Sequence, residues 1–239
     1  MGARGRGSDG TAVRAVFFDL GGTLMDFRDF AGWSEDARAA GVDIDPEAIG
    51  HWYEEAMTAT DRAEPPPVPF EEFWRRILEG AAGRPVAAPE AADFLERVGT
   101  RGIPGQLFSD VRKCLEELGH RGLPLGVISN TQRTADELRS LLATAGIGER
   151  FGLVVSSTTE GVWKPDPEIF RRAVGRIGVP PAHSLYVGDL KEMDARAAHH
   201  AGLTGVWLNR RGTGFGIDPP EITSLAELPR LVERGPARP

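Results

Sequence analysis

Ala15-Val16-Phe17-Phe18-Asp19-Leu20-Gly21-Gly22-Thr23 is a run of four apolar residues closed by a carboxylate and a pair of glycines. A short, continuous apolar run ended by turn residues reads as a strand buried on both faces, the habit of parallel sheets. The same pattern returns twice. Leu125-Gly126-Val127-Ile128 closes on Ser129-Asn130, and Leu185-Tyr186-Val187-Gly188 closes on Asp189. Polar groups at the carboxyl ends of neighbouring parallel strands converge on one crevice, where open α/β sheets bind their ligands. Asp19, Ser129 and Asp189 are therefore expected at a single site.

Between the first two of these runs, roughly from Arg28 to Gly105, the strand pattern gives way to helices. Candidate helix starts fall near Phe30, Pro46, Phe70 and Pro89. The stretch Pro65-Pro66-Pro67-Val68-Pro69 separates the second from the third, and Pro104-Gly105 marks the return. Beyond Leu107, strand and helix alternate. A helix over 107–119 leads to the strand ending at Ser129, and a second over 132–145 stops at Gly146. A strand near Leu153 to Ser156 follows. Asp166 caps a helix opened by Pro167 that buries Ile169, Phe170, Ala173, Val174 and Ile177. A helix from Asp189 to Ala201 and a strand from Gly205 to Leu208 complete the pattern. This grammar predicts an α/β fold, a Rossmann-like parallel sheet of four or five strands with helices on both faces, plus an inserted all-helical subdomain. Residues 1–12 read as a flexible Gly/Arg tail, 13–27 and 106–239 as the core, and 28–105 as the insertion.

Composition narrows the function. Acidic side chains outnumber basic ones, 35 to 28, for a net charge of −7, so no basic field favours nucleic acid or an anionic membrane surface. No apolar stretch approaches the ~20 residues that span a bilayer, and Met1 to Thr11 lacks the apolar centre of a secretory signal. A cytoplasmic monomer or homodimer is the expectation. The single cysteine, Cys114, shares a helical stripe with Val111, Leu115 and Leu118, which makes it a core thiol. Arg211-Gly212-Thr213-Gly214-Phe215-Gly216 does not fit a dinucleotide fingerprint and reads as a surface loop. His51, His199 and His200 lack partners at metal-ligand spacing. Trp33, Trp52, Tyr53 and Trp74 read as core aromatics of the inserted helices, and Arg75 and Arg76 as solvent-facing.

The chemistry follows from charge. A phosphate monoester dianion meeting the Asp19 carboxylate at 4 Å faces about 8 kcal/mol of repulsion at an effective dielectric near 20. Cations have to cancel it. Lys164, one of only three lysines beside Lys113 and Lys191, is one candidate. Asp19 and Asp189 form a pair of hard oxygen ligands suited to Mg²⁺. Ser129 and the amides after Asp19 then serve the equatorial phosphoryl oxygens, and Gly21 and Gly22 let backbone approach them. Asp19 is the natural nucleophile, forming an acyl-phosphate that water hydrolyses. Gly22, Thr23 and Asn130 are expected to bind substrate, Thr23 mainly by supporting the loop.

Taken in order, Asp19-Leu20-Gly21-Gly22-Thr23-Leu24, Ile128-Ser129-Asn130, Lys164-Pro165-Asp166-Pro167 and Val187-Gly188-Asp189 through Asp194 resemble the four motifs of the haloacid dehalogenase-like superfamily. The resemblance runs from Val13 to Leu208. It is to the phosphatase-type subgroup with a helical cap inserted after the first strand. It implies hydrolysis of a small phosphorylated metabolite. It also implies Mg²⁺ held by Asp19, Asp189 and the carbonyl of Gly21, Asp194 orienting the metal or Lys164, and substrate choice by the cap. The departure is Gly21, where such phosphatases usually carry a second Asp as general acid and base. Its loss removes a factor of about 10² to 10⁴ without removing the nucleophile. Two readings compete with a phosphatase. One is a weakly active or non-catalytic protein that binds a phospho-ligand or partner, and the other is a 2-haloacid dehalogenase, whose branch also lacks the second Asp. A phosphonate-cleaving Schiff base is disfavoured, since 28–105 contains no lysine. Asp26, near the expected hinge, is not promoted to replacement acid.

Overall fold

The computed structural model describes residues 12–61, 69–101, 105–212 and 219–234. Most of the expected tail, the Pro65 to Val68 breaker, Pro104 and the Thr213 to Gly216 part of the glycine loop lie outside them. The chain divides into two compact units, one of residues 1–24 and 107–239 and the other of residues 25–106.

The first unit is built on β1 (Ala15–Phe18). The other unit's first strand, β2 (Met25–Asp26), pairs with β3 (Gln106–Leu107) in a two-stranded sheet. Around β1 the chain lays down β4 (Leu125–Ser129), β5 (Leu153–Ser156), β6 (Ser184–Gly188), β7 (Thr204–Leu208) and β8 (Glu221–Ile222). These six form one sheet in the order β5-β4-β1-β6-β7-β8, and every pairing is parallel. Phe17 and Phe18 point to opposite faces, as successive strand residues must, and both are fully buried. Both faces are therefore covered, which explains why the strands read as unbroken apolar runs rather than alternating ones. The sheet has one strand more than the sequence suggests, because the two-residue β8 is too short to carry a pattern.

Helices α5 (Val111–His120), α6 (Ala135–Thr144), α7 (Ser157–Glu160), α8 (Pro167–Ile177), α9 (Ala197–His200) and α10 (Leu228–Arg234) connect and close this unit. Their ends are chemically specified. Thr134 and Glu137 form a reciprocal capping box at α6, and Asp166 caps α8 ahead of Pro167 at its first position. Ile169, Phe170, Ala173 and Val174 of α8 meet Phe17, Ile128, Val155 and Tyr186 in one buried cluster. The helix expected over 107–119 begins four residues later. Residues 106–107 pair as a strand, and Asp110 occupies the position before the first helical turn. The expected helix from Asp189 to Ala201 also opens differently, as a π-helical turn over Lys191–Arg196 that passes into α9.

The second unit contains α1 (Phe30–Ala39), α2 (Pro46–Asp61), α3 (Phe70–Ala82) and α4 (Ala88–Arg101). Trp33, Ala37, Ile49, Trp74, Ile77, Leu78 and Phe94 form its core. Trp33 and Trp74 meet edge to face with ring centroids 4.9 Å apart, and Tyr53 stacks on Trp74 at 5.8 Å. These three aromatics are packing residues. Trp52 departs from that expectation at 42% exposed. Arg75 pairs with Glu72 and Glu79, and Arg76 with Glu72, on the helix surface. Asp26 is held by Arg28 at 2.6 Å.

Candidate active site

Strand register assembles the site. Phe18 of β1 pairs with Val127 of β4 on one side and Val187 of β6 on the other. The next residue, Asp19, therefore stands level with Ile128 and Gly188, and Ser129 and Asp189 lie one residue further along. Adjacent strands run ~4.8 Å apart, so these ends are immediate neighbours. The Asp19 amide still donates to Val187 O at 2.9 Å, which ties the nucleophile candidate to β6 where the chain turns away.

Lys164 reaches into this row from the segment before α8, with its peptide to Pro165 cis. Its ammonium donates to Asp19 Oδ1 and Asp194 Oδ1 at 2.6 Å each and to the Tyr186 hydroxyl at 2.9 Å. An ammonium has three protons, so all are engaged. Tyr186 also lies within donating reach of Asp194 Oδ1, at 3.0 Å, and Ile128 O, at 3.2 Å. Asp194 accepts Leu190 N on its other oxygen at 3.1 Å. The resemblance left Asp194 either to the metal or to Lys164, and both its oxygens are turned to the lysine cluster and its own loop. The π-helical turn makes this geometry: Ala195 N reaches back to Leu190 O, and Asp194 is buried behind the strand ends.

Two glycines make room for carboxylates. Gly22 holds φ 73°, which favours glycine, and a Cβ there would collide with the Asp189 carboxylate. A Cβ on Gly188 would collide with Asp194. Thr23 is fully buried and donates to Asp189 Oδ1 at 3.4 Å, and Trp207 Nε1 donates to the Asp189 carbonyl at 3.0 Å. Thr23 thus faces a site carboxylate. Asn130 faces the Lys164 backbone. Its amide nitrogen donates to Lys164 O at 2.9 Å and its oxygen accepts Lys164 N at 2.8 Å, so the side chain is used on the lysine's backbone.

The electrostatics are unbalanced. Ligand oxygens of Asp19, Asp189 and Asp194 lie within 4.8 Å of one another, and among the described residues Lys164 pairs with Asp19 and Asp194. Burial pushes Asp19 up to about 6, against the pull of Lys164 and with a push from Asp194. Burial, then the charges of Asp19 and Asp194, hold Asp189 well above the ordinary carboxylate range. Burial alone would lower Lys164, but Asp19 and Asp194 outweigh it and keep the ammonium charged. Three carboxylates against one lysine leave a deficit that a divalent cation matches, and the Asp19–Asp189 pair offers it hard oxygen donors. The donor set therefore fits Mg²⁺.

Tyr186 was not singled out by the motifs. The available signal was a phenol between the apolar Leu185 and Val187 of a buried strand, since a buried tyrosine normally needs a partner. Cys114 is buried, and burial pushes its thiol up to about 12, consistent with a packing residue. No described helix is long and apolar enough to cross a membrane.

Residues 13–202 match the haloacid dehalogenase-like hydrolase family. A phosphoserine phosphatase of Thermus thermophilus is 38% identical over 188 residues, covering 74% of this chain and 71% of its own. Among solved structures, the putative hydrolase YfnB of Bacillus subtilis, bound to magnesium, superposes with a TM-score of 0.75 at 18% identity, over 92% of this chain and 99% of its own. The L-2-haloacid dehalogenase of Xanthobacter autotrophicus shares the fold at a TM-score of 0.66 and 24% identity, covering 94% and 100%. The chain belongs to the haloacid dehalogenase-like hydrolases. It is a hydrolase on a parallel α/β sheet with four inserted helices.

Proposed function

We propose that the protein hydrolyses small phosphoric monoesters through an aspartyl-phosphate at Asp19, with slow proton transfer because Gly21 stands where an acid would. The observation that carries this is the cluster of Asp19, Asp189 and Asp194 around a single lysine, an arrangement short of positive charge. The two units are read as core and cap, with the substrate chosen by residues 28–105.

Asp19 Oδ1 is engaged by Lys164, which leaves Oδ2 to attack phosphorus in line with the leaving oxygen. The phosphorus–oxygen bond to the leaving group breaks, its electron pair stays on that oxygen, and solvent supplies the proton. Water then attacks the phosphorus of the acyl-phosphate, phosphate departs, and the Asp19 carboxylate is restored. Ser129 and the amides after Asp19 bind the equatorial oxygens. Lys164 has no spare proton donor, so its contribution to a phosphoryl oxygen is its charge, or a bond exchanged for one already made. Asn130 fixes the lysine's backbone, Asp194 and Tyr186 fix its ammonium, and Thr23 and Trp207 orient Asp189. Asp19, Asp189 and the Gly21 carbonyl would hold Mg²⁺, which when bound neutralises the phosphoryl charge and the excess carboxylates.

The dehalogenase reading has less support, because it gives no use to the Asp19–Asp189 pair. A binding protein of low activity is favoured by Gly21 alone. Release of phosphate from an aryl phosphate and a metabolite panel, with Mg²⁺ and with chelator, tests the proposal. Mg²⁺-dependent turnover that vanishes in Asp19→Asn supports it. Silence in the wild type with turnover gained in Gly21→Asp would assign the scaffold to binding.

A further inference from the structure

Arg210 lies just beyond β7, outside all four motifs, yet its side chain ends on the loop that follows Asp19. Nε donates to Gly22 O at 3.2 Å, and one terminal nitrogen donates to Thr23 O at 2.7 Å. The two terminal nitrogens also grip Asp110, at 2.9 and 3.1 Å. The guanidinium carbon sits 3.9 Å from the centre of the Phe108 ring, a cation–π contact that fixes its plane. Asp110 is itself held, accepting Ser224 Oγ at 2.7 Å and Leu225 N at 2.9 Å. Its position before the first turn of α5 suits helix capping, but its side chain makes no cap bond there. The carboxylate is committed to Arg210 instead.

A peptide carbonyl and the following N–H point in opposite directions in one rigid plane. Drawing Gly22 O toward Arg210 therefore turns the Thr23 N–H the other way. Drawing Thr23 O sets the next plane, whose Leu24 N–H closes the loop on Leu20 O at 2.9 Å. The four bonds, two of them a bidentate grip on the carboxylate, exceed the three protons of an ammonium, so lysine is no equivalent.

We infer that Arg210, braced by Asp110, is a positioning residue that fixes the peptide planes after Gly22 and Thr23, and with them the loop closure at Leu24 and the Thr23 amide offered to the phosphoryl group. The inference rests on the phosphoryl reading of Asp19 for its catalytic consequence. A displacement of ~1 Å at such a site costs about 10²-fold in rate, so loss of the fork acts on kcat more than on KM.

The test compares full-length wild type with Arg210→Ala, Arg210→Lys and Asp110→Asn. It reads Mg²⁺-dependent turnover of an aryl phosphate and hydrogen–deuterium exchange of the Asp19 to Leu24 peptide. Arg210→Ala is expected to lose at least about tenfold in kcat with KM within about threefold, and its loop peptide to exchange faster. Millimolar guanidinium should restore part of that rate and methylammonium none, while Arg210→Lys stays low. Wild-type kcat and exchange in a folded Arg210→Ala, or full activity in Arg210→Lys, would overturn the inference. If Arg210→Ala does not fold, Asp110→Asn carries the same expectation in milder form. A wild type without phosphate release would instead sink the phosphoryl reading, and the exchange data would still decide whether Arg210 fixes the loop.

Discussion

Asn130 and Lys164 hold each other twice: the asparagine amide donates to the lysine carbonyl at 2.9 Å, and its oxygen accepts the lysine N–H at 2.8 Å. The pair joins the end of β4 to the segment that delivers the buried ammonium to Asp19. Asn130→Ala strips both bonds from a partly buried backbone, at about 1–3 kcal/mol for each group left unsatisfied. Turnover should fall by at least about tenfold, and the melting temperature should drop as well. Asn130→Asp keeps the acceptor and loses the donor, so it should fall between wild type and alanine in both measurements. Equal activity in all three would remove the pair from the mechanism.

Gly21 sets the second expectation. Without a carboxyl to protonate the leaving oxygen, rates should climb steeply as leaving-group pKa falls, from alkyl through aryl to acyl phosphates. Gly22, the left-handed member of the pair, is the loop position that strains a side chain, so Gly21→Asp is the substitution to make. That variant should flatten the dependence and raise turnover of alkyl phosphates by about 10² to 10⁴. A flat dependence in the wild type would show that another group transfers the proton.

The crowded carboxylates have a stability signature. Asp19 is raised from 3.8 to about 6 in the folded protein. Between those values the native state binds more protons than the unfolded chain. Stability of the metal-free protein should therefore fall as pH rises through that window, and Asp189 extends the fall upward. Thermal melting in chelator should show this, Asp19→Asn should blunt it, and millimolar Mg²⁺ should offset it. A melting temperature that rises across the same window in chelator would contradict the charge deficit.

Cys114 is buried, with its thiol raised to about 12 by its surroundings, and no mechanistic step uses it. Disulfide reagents at pH 8 should modify it only on unfolding, and Cys114→Ala should keep wild-type turnover while losing stability. Rapid labelling of the folded protein would place it at the surface instead.

The fold and the meeting of Asp19, Lys164, Asp189 and Asp194 were legible because each lies at the end of a buried strand or in a short motif. Apolar runs announce such strands without reference to the rest of the chain. Partnerships across the fold were not legible. Lys164 and Tyr186 meet through a helix and a strand, and Arg210 meets Gly22 across 188 positions of sequence. No local pattern records either. The bonds of Thr23 to Asp189 and of Asn130 to the Lys164 backbone were not legible either, because motif position shows proximity to a site but not what a side chain faces. The start of α5 moved because Gln106 and Leu107 pair with β2, a contact between distant segments that no local pattern announces.

The central claim is that Asp19 carries the phosphoryl group. On that proposal Gly21 slows breakdown of the intermediate, so it should accumulate. The most direct measurement is mass analysis of the Asp19 peptide after acid quenching during Mg²⁺-dependent turnover of an aryl phosphate. A phosphoryl mass on that peptide, absent in chelator and in Asp19→Asn, is the expected result. Steady turnover with an unmodified Asp19 peptide would contradict the account.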